Sequence, residues 1–291
     1  MKAPTEKCND TIQILVTRAC RRQCSNCTQL LPFRQDTLHM SLDCFREAVR
    51  SLKGWAGIVG IFGGNPCIHP QFDEICRILS EEVPDQGHRG IWTDDLCGQG
   101  ELIRETFYPH ARFNLNPHAN KEAAAEIRKW LPGKMIRNSD RQPSWHSAIL
   151  VDWRDMGMTR NEWIAAREEC DLNRNWSAAI VEHAGRPYAY FCEVAAAIDG
   201  VRGANNGILA EPGWWRKGMQ AFRYQVERCC DAGCGVPLRI KGHIDHESVY
   251  DVSESWQQIL PIPKGRIALA GHDGMPSARC RESTDYMRLR S

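Results

Sequence analysis

Apolar and polar positions alternate along the first half of the chain in short blocks of two periods. Ile12–Thr17 is a β-type run, and Gly57–Phe62 is a second, buried-type run ending in Gly63-Gly64. Between them Phe45, Ala48, Val49 and Leu52 recur at helical spacing behind Ser41, a capping residue, and Gly54 stops the pattern. A helix from about Pro70 carries Phe72, Ile75, Cys76 and Leu79 and ends before Pro84. Arg89–Thr93 and Ala111–Leu115 read as strands, and Lys121–Leu131 as an alanine-rich helix closed by Pro132-Gly133. Ser147–Asp152 reads as a fifth strand. Thr159 and Glu162 form a capping box for a helix to about Glu169. Strands and helices alternating over short turns predict βα units around a parallel sheet.

The rhythm changes near residue 170. Ser177–Glu182 and Pro187–Cys192 flank His183-Ala184-Gly185-Arg186, which predicts a hairpin. A helix is expected around Trp214–Tyr224, and beyond Ser253 periodicity is weak. A boundary near residue 165 divides the chain into 1–165, 166–245 and a C-terminal extension, 246–291, of unassigned role.

Composition narrows the function classes. A hydrophobic fraction of 42% and a charged fraction of 25% are those of a globular protein with a sizeable core. The 37 basic and 36 acidic residues nearly cancel, so bulk charge gives no support to a nucleic-acid surface. No secretory signal precedes Ile12, and no segment reaches the roughly 20 apolar residues of a membrane helix. The expected location is the cytoplasm.

In a reducing compartment the 14 cysteines point to metal or redox chemistry rather than disulfides. Cys44 and Cys76 fall inside apolar helical patterns and read as small core residues. Cys20, Cys24 and Cys27 form CxxxCxxC directly after the first strand. Three thiolates at this spacing can wrap one metal centre, and three ligands on a four-iron cube leave one iron open. A structural zinc site is the competing reading, although the nearest histidine, His39, follows at no recognisable zinc spacing.

This cluster, in the loop after the first strand of a βα-repeat chain, resembles the radical S-adenosylmethionine (SAM) superfamily. Gly63-Gly64-Asn65-Pro66, ending the second strand, is similar to that family's GGEP motif. The resemblance covers roughly residues 10–165 and implies a partial (βα)6 TIM-type barrel with its site at the carboxyl ends of the strands. It implies a [4Fe–4S] cluster on Cys20, Cys24 and Cys27 whose open iron chelates SAM. Reductive cleavage would then release a 5′-deoxyadenosyl radical that abstracts hydrogen from a substrate. Gly63 and Gly64 would allow close backbone approach to the methionine moiety. Asn65 departs from the family's usual Glu, keeping an acceptor oxygen but losing the charge. Thr93, with Asp94 and Asp95, and then Asn114 and Asn116 stand where relatives contact SAM; turn chemistry is their competing reading.

Cys170, a glycine-turned hairpin, Cys192 and then Cys229, Cys230 and Cys234 resemble the auxiliary-cluster domains called twitch and SPASM. The resemblance implies a small C-terminal domain holding a second [4Fe–4S] cluster. Its ligands would be Cys170, Cys192, Cys234 and one of Cys229 and Cys230. The cysteine left over is a candidate hydrogen-atom donor. A zinc site on the same thiols is the alternative. His243-Ile244-Asp245-His246 reads as loop capping, and Trp214-Trp215 as core.

The implied function is hydrogen abstraction from a small molecule (a sugar, aminoglycoside or nucleotide-like compound) ending in epimerisation or oxidation. An electron donor such as flavodoxin or ferredoxin is the implied partner. Maturation of a ribosomal peptide is the runner-up, set back by the lack of room for a leader-binding domain before the first strand. A non-enzymatic zinc-binding interaction protein is the reading from another class.

Overall fold

The computed structural model describes residues 1–7, 10–22, 24–34, 38–108, 113–115, 121–132, 147–175, 177–240, 242, 250–260 and 267–269. Four βα units open the fold: β1 (Thr11–Thr17), α1 (Leu42–Ser51), β2 (Ile58–Gly63), α2 (Phe72–Glu82), β3 (Arg89–Thr93), α3 (Gly100–Phe107), β4 (Phe113–Leu115) and α4 (Lys121–Trp130). After α5 (Arg160–Glu168) and α6 (Asp171–Asn175) come β5 (Ala178–His183), β6 (Arg186–Tyr190), α7 (Glu193–Val201) and β7 (Ile208–Leu209). A short α8 (Arg223–Gln225), β8 (Tyr250–Val252), α9 (Glu254–Ile259) and β9 (Ile267–Leu269) complete the described elements.

The chain is α/β with a mixed seven-stranded sheet in the order β4-β3-β2-β1-β5-β6-β7. β1 to β4 are parallel and lie side by side in chain order, as the βα alternation predicts for the start of a barrel. All seven residues of β1 are buried, as expected for a strand covered on both faces. Ser41 caps α1 by accepting from the Cys44 backbone N–H, and the predicted box of Thr159 and Glu162 caps α5. The hairpin of β5 and β6 closes through Ala184 (φ 48°) and Gly185 (φ 75°), a two-residue turn with both residues left-handed, where glycine is at ease. β5 also pairs in parallel with β1, so the main sheet runs on past the boundary placed near residue 165.

Two elements differ from the sequence reading. Ser147–Asp152 is not a strand of the main sheet. Its backbone is drawn to the loop after the last cysteines, with Gly235 N–H donating to Ile149 O (2.7 Å) and Ala148 N–H to Ile240 O (3.1 Å). Leu150 makes an isolated parallel bridge to Val252. Those partners come from 85 or more positions downstream, beyond the reach of local periodicity. The helix expected around Trp214–Tyr224 is broken into 3-10 turns at Trp214–Arg216 and Met219–Phe222, followed by α8 and a π-helical turn at Val226–Cys230. Tertiary contacts override the helical pattern there. Trp214 is fully buried and its indole donates to Ser51 Oγ, while Trp215 packs edge-on against Trp55. Among the described residues no helix is long and apolar enough to cross a membrane.

Candidate functional site

The first three cysteines occupy the loop between β1 and α1, at the carboxyl end of β1. Where parallel strands end, backbone groups run out of sheet partners, and loops from neighbouring strands meet there. In this chain they meet closely. Gly64 N–H donates to Thr17 O (3.0 Å) and Asn65 N–H to Ala19 O (2.8 Å), so the Gly-Gly-Asn-Pro turn after β2 lies against the entrance of the cysteine loop. A Cβ on Gly64 would stand 2.1 Å from Ala19 O and 2.8 Å from the Cys20 Cβ; one on Gly63 would stand 2.1 Å from Thr17 O. The two glycines are therefore required by the approach of one loop to the other.

Cys20, Cys24 and Cys27 are each partly exposed and electrostatically within reach of one another. Desolvation raises all three thiols, Cys20 to about 11; backbone N–H groups of Gln29, Leu31 and Leu30 oppose it at Cys27. Hydrogen bonds to a sulfur favour its thiolate and tune a bound iron–sulfur cluster. Among the described residues no three His, Cys, Asp or Glu side chains converge closely enough to hold a single metal ion. A soft three-thiol set in one loop, with N–H donors facing the sulfurs of Cys20 and Cys27, suits the thiolate chemistry of an iron–sulfur cluster.

Asn65 is 2% exposed, and its side chain is fully engaged. Its oxygen accepts from Cys67 N–H (2.9 Å) and from Thr93 Oγ1 (3.1 Å), and its amide donates to Asp95 O (3.0 Å) and Asp94 Oδ1 (3.3 Å). A glutamate here could not donate and would set a second carboxylate against Asp94. The departure from the GGEP pattern thus has a local cause in Asp94 and Asp95. Thr93 is buried against the same group. Arg22, inside the cysteine loop, forms an ion pair with Asp94, tying that loop to the end of β3. Burial raises the Asp94 carboxyl, and Arg22 pulls it back down. Asn114 lies in β4; nothing of its side chain is described, and Asn116 and His243–His246 lie outside the described residues.

The cysteine loop has a lid that sequence reading missed. Tyr250 hydroxyl donates to Cys24 O (2.9 Å), and its ring packs edge-on against Phe33 at 4.4 Å. Asn26 donates to Asp251 Oδ2 (2.7 Å) and accepts from Asp251 N–H (3.2 Å). Asn26 has φ 49°, a left-handed conformation that asparagine tolerates better than most residues. Its position one residue before Cys27 was the available signal, but its partner lies 225 residues away. Asn26→Ala removes both of these hydrogen bonds from a buried setting. A loss of about 3 kcal/mol is expected in denaturant unfolding.

The second cysteine set collects at one place. Cys170 stands just before α6, Cys192 just before α7, and Cys229, Cys230 and Cys234 in and after the π-helical turn. All five line one small internal cavity, together with Phe191. Burial raises every one of these thiols, Cys170 to about 12. Against that, backbone N–H groups of Asn173 and Leu172 face Cys170, those of Ala195 and Val194 face Cys192, and that of Val236 faces Cys234. Cys230 interacts electrostatically with Cys234, Cys192, Cys229 and Cys170, whereas Cys229 feels Asp199 and Arg202 ahead of Cys192. Cys229 is fully buried. Asp231 anchors the turn: its carboxylate accepts from Trp163 Nε1 (2.8 Å), Arg167 (2.7 Å) and Arg160 (2.8 Å). Although burial opposes it, these three donors hold the Asp231 carboxyl below its usual range.

No protein-family model matches this chain. No curated protein is similar to it. Solved structures similar to it over part of its length include two of BtrN. A crystal structure of BtrN in complex with AdoMet and 2-DOIA is 18% identical, covers 65% of this chain and 75% of BtrN, and has a TM-score of 0.45. BtrN in an open conformation is 15% identical over 65% of this chain and 71% of its own, with a TM-score of 0.38.

Proposed function

We propose that the chain is a radical SAM enzyme acting on a small molecule. The observation that carries this reading is the joining of its two motifs: the CxxxCxxC loop after β1 is closed on the Gly-Gly-Asn-Pro turn after β2 by two backbone hydrogen bonds. A [4Fe–4S] cluster on Cys20, Cys24 and Cys27, when bound, would supply the electron that cleaves SAM. The residues' own contribution is to hold and orient. Arg22 and Asp94 fix the loop against β3, Tyr250 and Asp251 cover its far side, and Gly63, Gly64 and Asn65 form the opposing wall. Thr93 and the strand-end residues Asn114 and Asn116 are the remaining candidates for SAM contact. The partial (βα)6 barrel reading rests on the four parallel βα units from β1 to α4.

The second set reads as an auxiliary [4Fe–4S] centre in a twitch/SPASM-like region over 166–245. Cys170, Cys192 and Cys234 have backbone N–H groups facing them, and Cys230 is in electrostatic reach of all three, which favours it over Cys229 as the fourth ligand. Under this reading Cys230→Ala removes the metal of the second centre, while Cys229→Ala leaves it in place; iron analysis of the two variants checks it. Flavodoxin or ferredoxin is the class of electron donor expected. Substrates of sugar, aminoglycoside or nucleotide-like type would leave by epimerisation or by oxidation. Solvent deuterium incorporation into recovered substrate separates the first outcome from the second.

The test is anaerobic purification with iron, sulfide and zinc measured per chain, alongside reductive cleavage of SAM. About eight irons with 5′-deoxyadenosine formation is the result expected for two cubane clusters. Four irons with activity would retain the first centre and remove the second. Zinc alone, with no deoxyadenosine under strong reductant, would overturn the enzyme reading.

A further inference from the structure

Between Glu6 and β1 the chain buries a lysine that no motif points to. Lys7 is 2% exposed, and its Nζ makes no hydrogen bond among the described residues. An interior ammonium without a partner is costly, because water solvates a charge far better than protein does. Its surroundings are specific. The ring of Phe191 lies 5.9 Å from the Nζ, and Phe191 together with Cys192 lines the five-cysteine cavity. The groups that act on Lys7 electrostatically are, in order, Cys192, Cys170, Glu193 and Cys230. Glu193 is the only carboxylate among them. It is bonded elsewhere, accepting from Ser177 Oγ at 2.8 Å. One aromatic ring therefore separates the ammonium from the five-cysteine cavity.

We propose that Lys7 is the built-in counter-charge of the second thiolate centre: its ammonium balances the negative charge that four ligating thiolates leave in the interior. This rests on the reading of Cys170, Cys192, Cys230 and Cys234 as a metal-binding set. An iron–sulfur cube held by four thiolates is anionic, so an adjacent cation favours metal retention. If the centre is redox-active, the same cation favours the more negative, reduced state and raises the reduction potential. Burial pulls the Lys7 ammonium below the usual lysine range, while the neighbouring thiolates and Glu193 pull it back up.

The experiment uses the full chain with Cys20, Cys24 and Cys27 replaced by alanine, so that only the second set can hold metal. Lys7→Met and Lys7→Arg are made in that background. Iron and zinc per chain, metal loss to a chelator and, for iron, the potential from an EPR-monitored titration are measured. Lys7→Met is expected to lose metal about tenfold faster or more, as second-shell changes around metal sites do. The potential of an iron centre should move to more negative values. Lys7→Arg should keep both properties close to those of the Lys7 chain, because it keeps the charge. Unchanged retention and potential in Lys7→Met would overturn the counter-charge role while leaving the centre intact. Equal losses in Lys7→Met and Lys7→Arg would reduce Lys7 to a packing residue. Absence of metal when Lys7 is intact would remove the second centre itself, and this inference with it.

Discussion

Replacing Cys20, Cys24 and Cys27 together by alanine is expected, under the proposed function, to abolish 5′-deoxyadenosine formation and to halve the bound iron, from about eight to about four per chain. Among the described residues no other cysteine lies in the loop between β1 and α1. The next cysteines along this end of the sheet, Cys67 and Cys97, interact with Thr93 and with the Asn65 amide. The remaining neighbours, Arg22 and Asp94, are paired with each other. The fold itself should survive, because the three side chains are only partly buried and contribute nothing to the core around β1. Far-UV circular dichroism should therefore match the parent chain while activity is lost. Deoxyadenosine production by the triple variant under reductant would sink the assignment of the first centre.

Gly64→Ala is the second large effect, and it arises from backbone approach rather than from cofactor contact. The added Cβ would lie 2.1 Å from Ala19 O, 2.6 Å from Ala19 C and 2.8 Å from the Cys20 Cβ. Two of those atoms are backbone, so no rotamer change relieves the clash. Either β2 or the cysteine loop must move. Overpacking of this kind costs about 3 kcal/mol or more where nothing can yield. Because the displaced atoms belong to Ala19 and Cys20, metal loading at the first set and SAM cleavage should fall together with stability. Gly218→Ala is the matched control. Nothing lies within 4 Å of its added Cβ, and its φ of −69° suits alanine. Its unfolding free energy should stay within about 0.5 kcal/mol of the parent. A Gly64→Ala chain as stable as this control would show that the two loops do not meet as described.

The βα alternation was legible because local pattern determines it. A strand buried on both faces needs a run such as Ile12–Val16, and an amphipathic helix such as α1 needs its apolar spacing and a cap. The hairpin at Ala184-Gly185 was legible for the same reason, since its turn is written in four adjacent residues. Ser147–Asp152 and the Trp214–Tyr224 segment were misread where distant partners decide. One trades its strand ladder for the 235–240 loop, and the other yields its helix to the burial of two tryptophans.

The candidate site divides along the same line. The sequence alone determines the soft-ligand chemistry, because thiolates at close spacing carry it wherever the loop sits, and it orders the two motifs on successive strands. Only the tertiary structure decides what surrounds them. It brings Tyr250 and Asp251 from the far end of the chain onto the Cys24–Cys27 loop. It turns Asn65 toward Asp94 and Asp95, and it buries Lys7 beside cysteines more than 160 residues away. Ligand identity is a property of residue type, readable one position at a time. Charge balance and loop closure are properties of pairs, and those pairs exist only once the chain has folded.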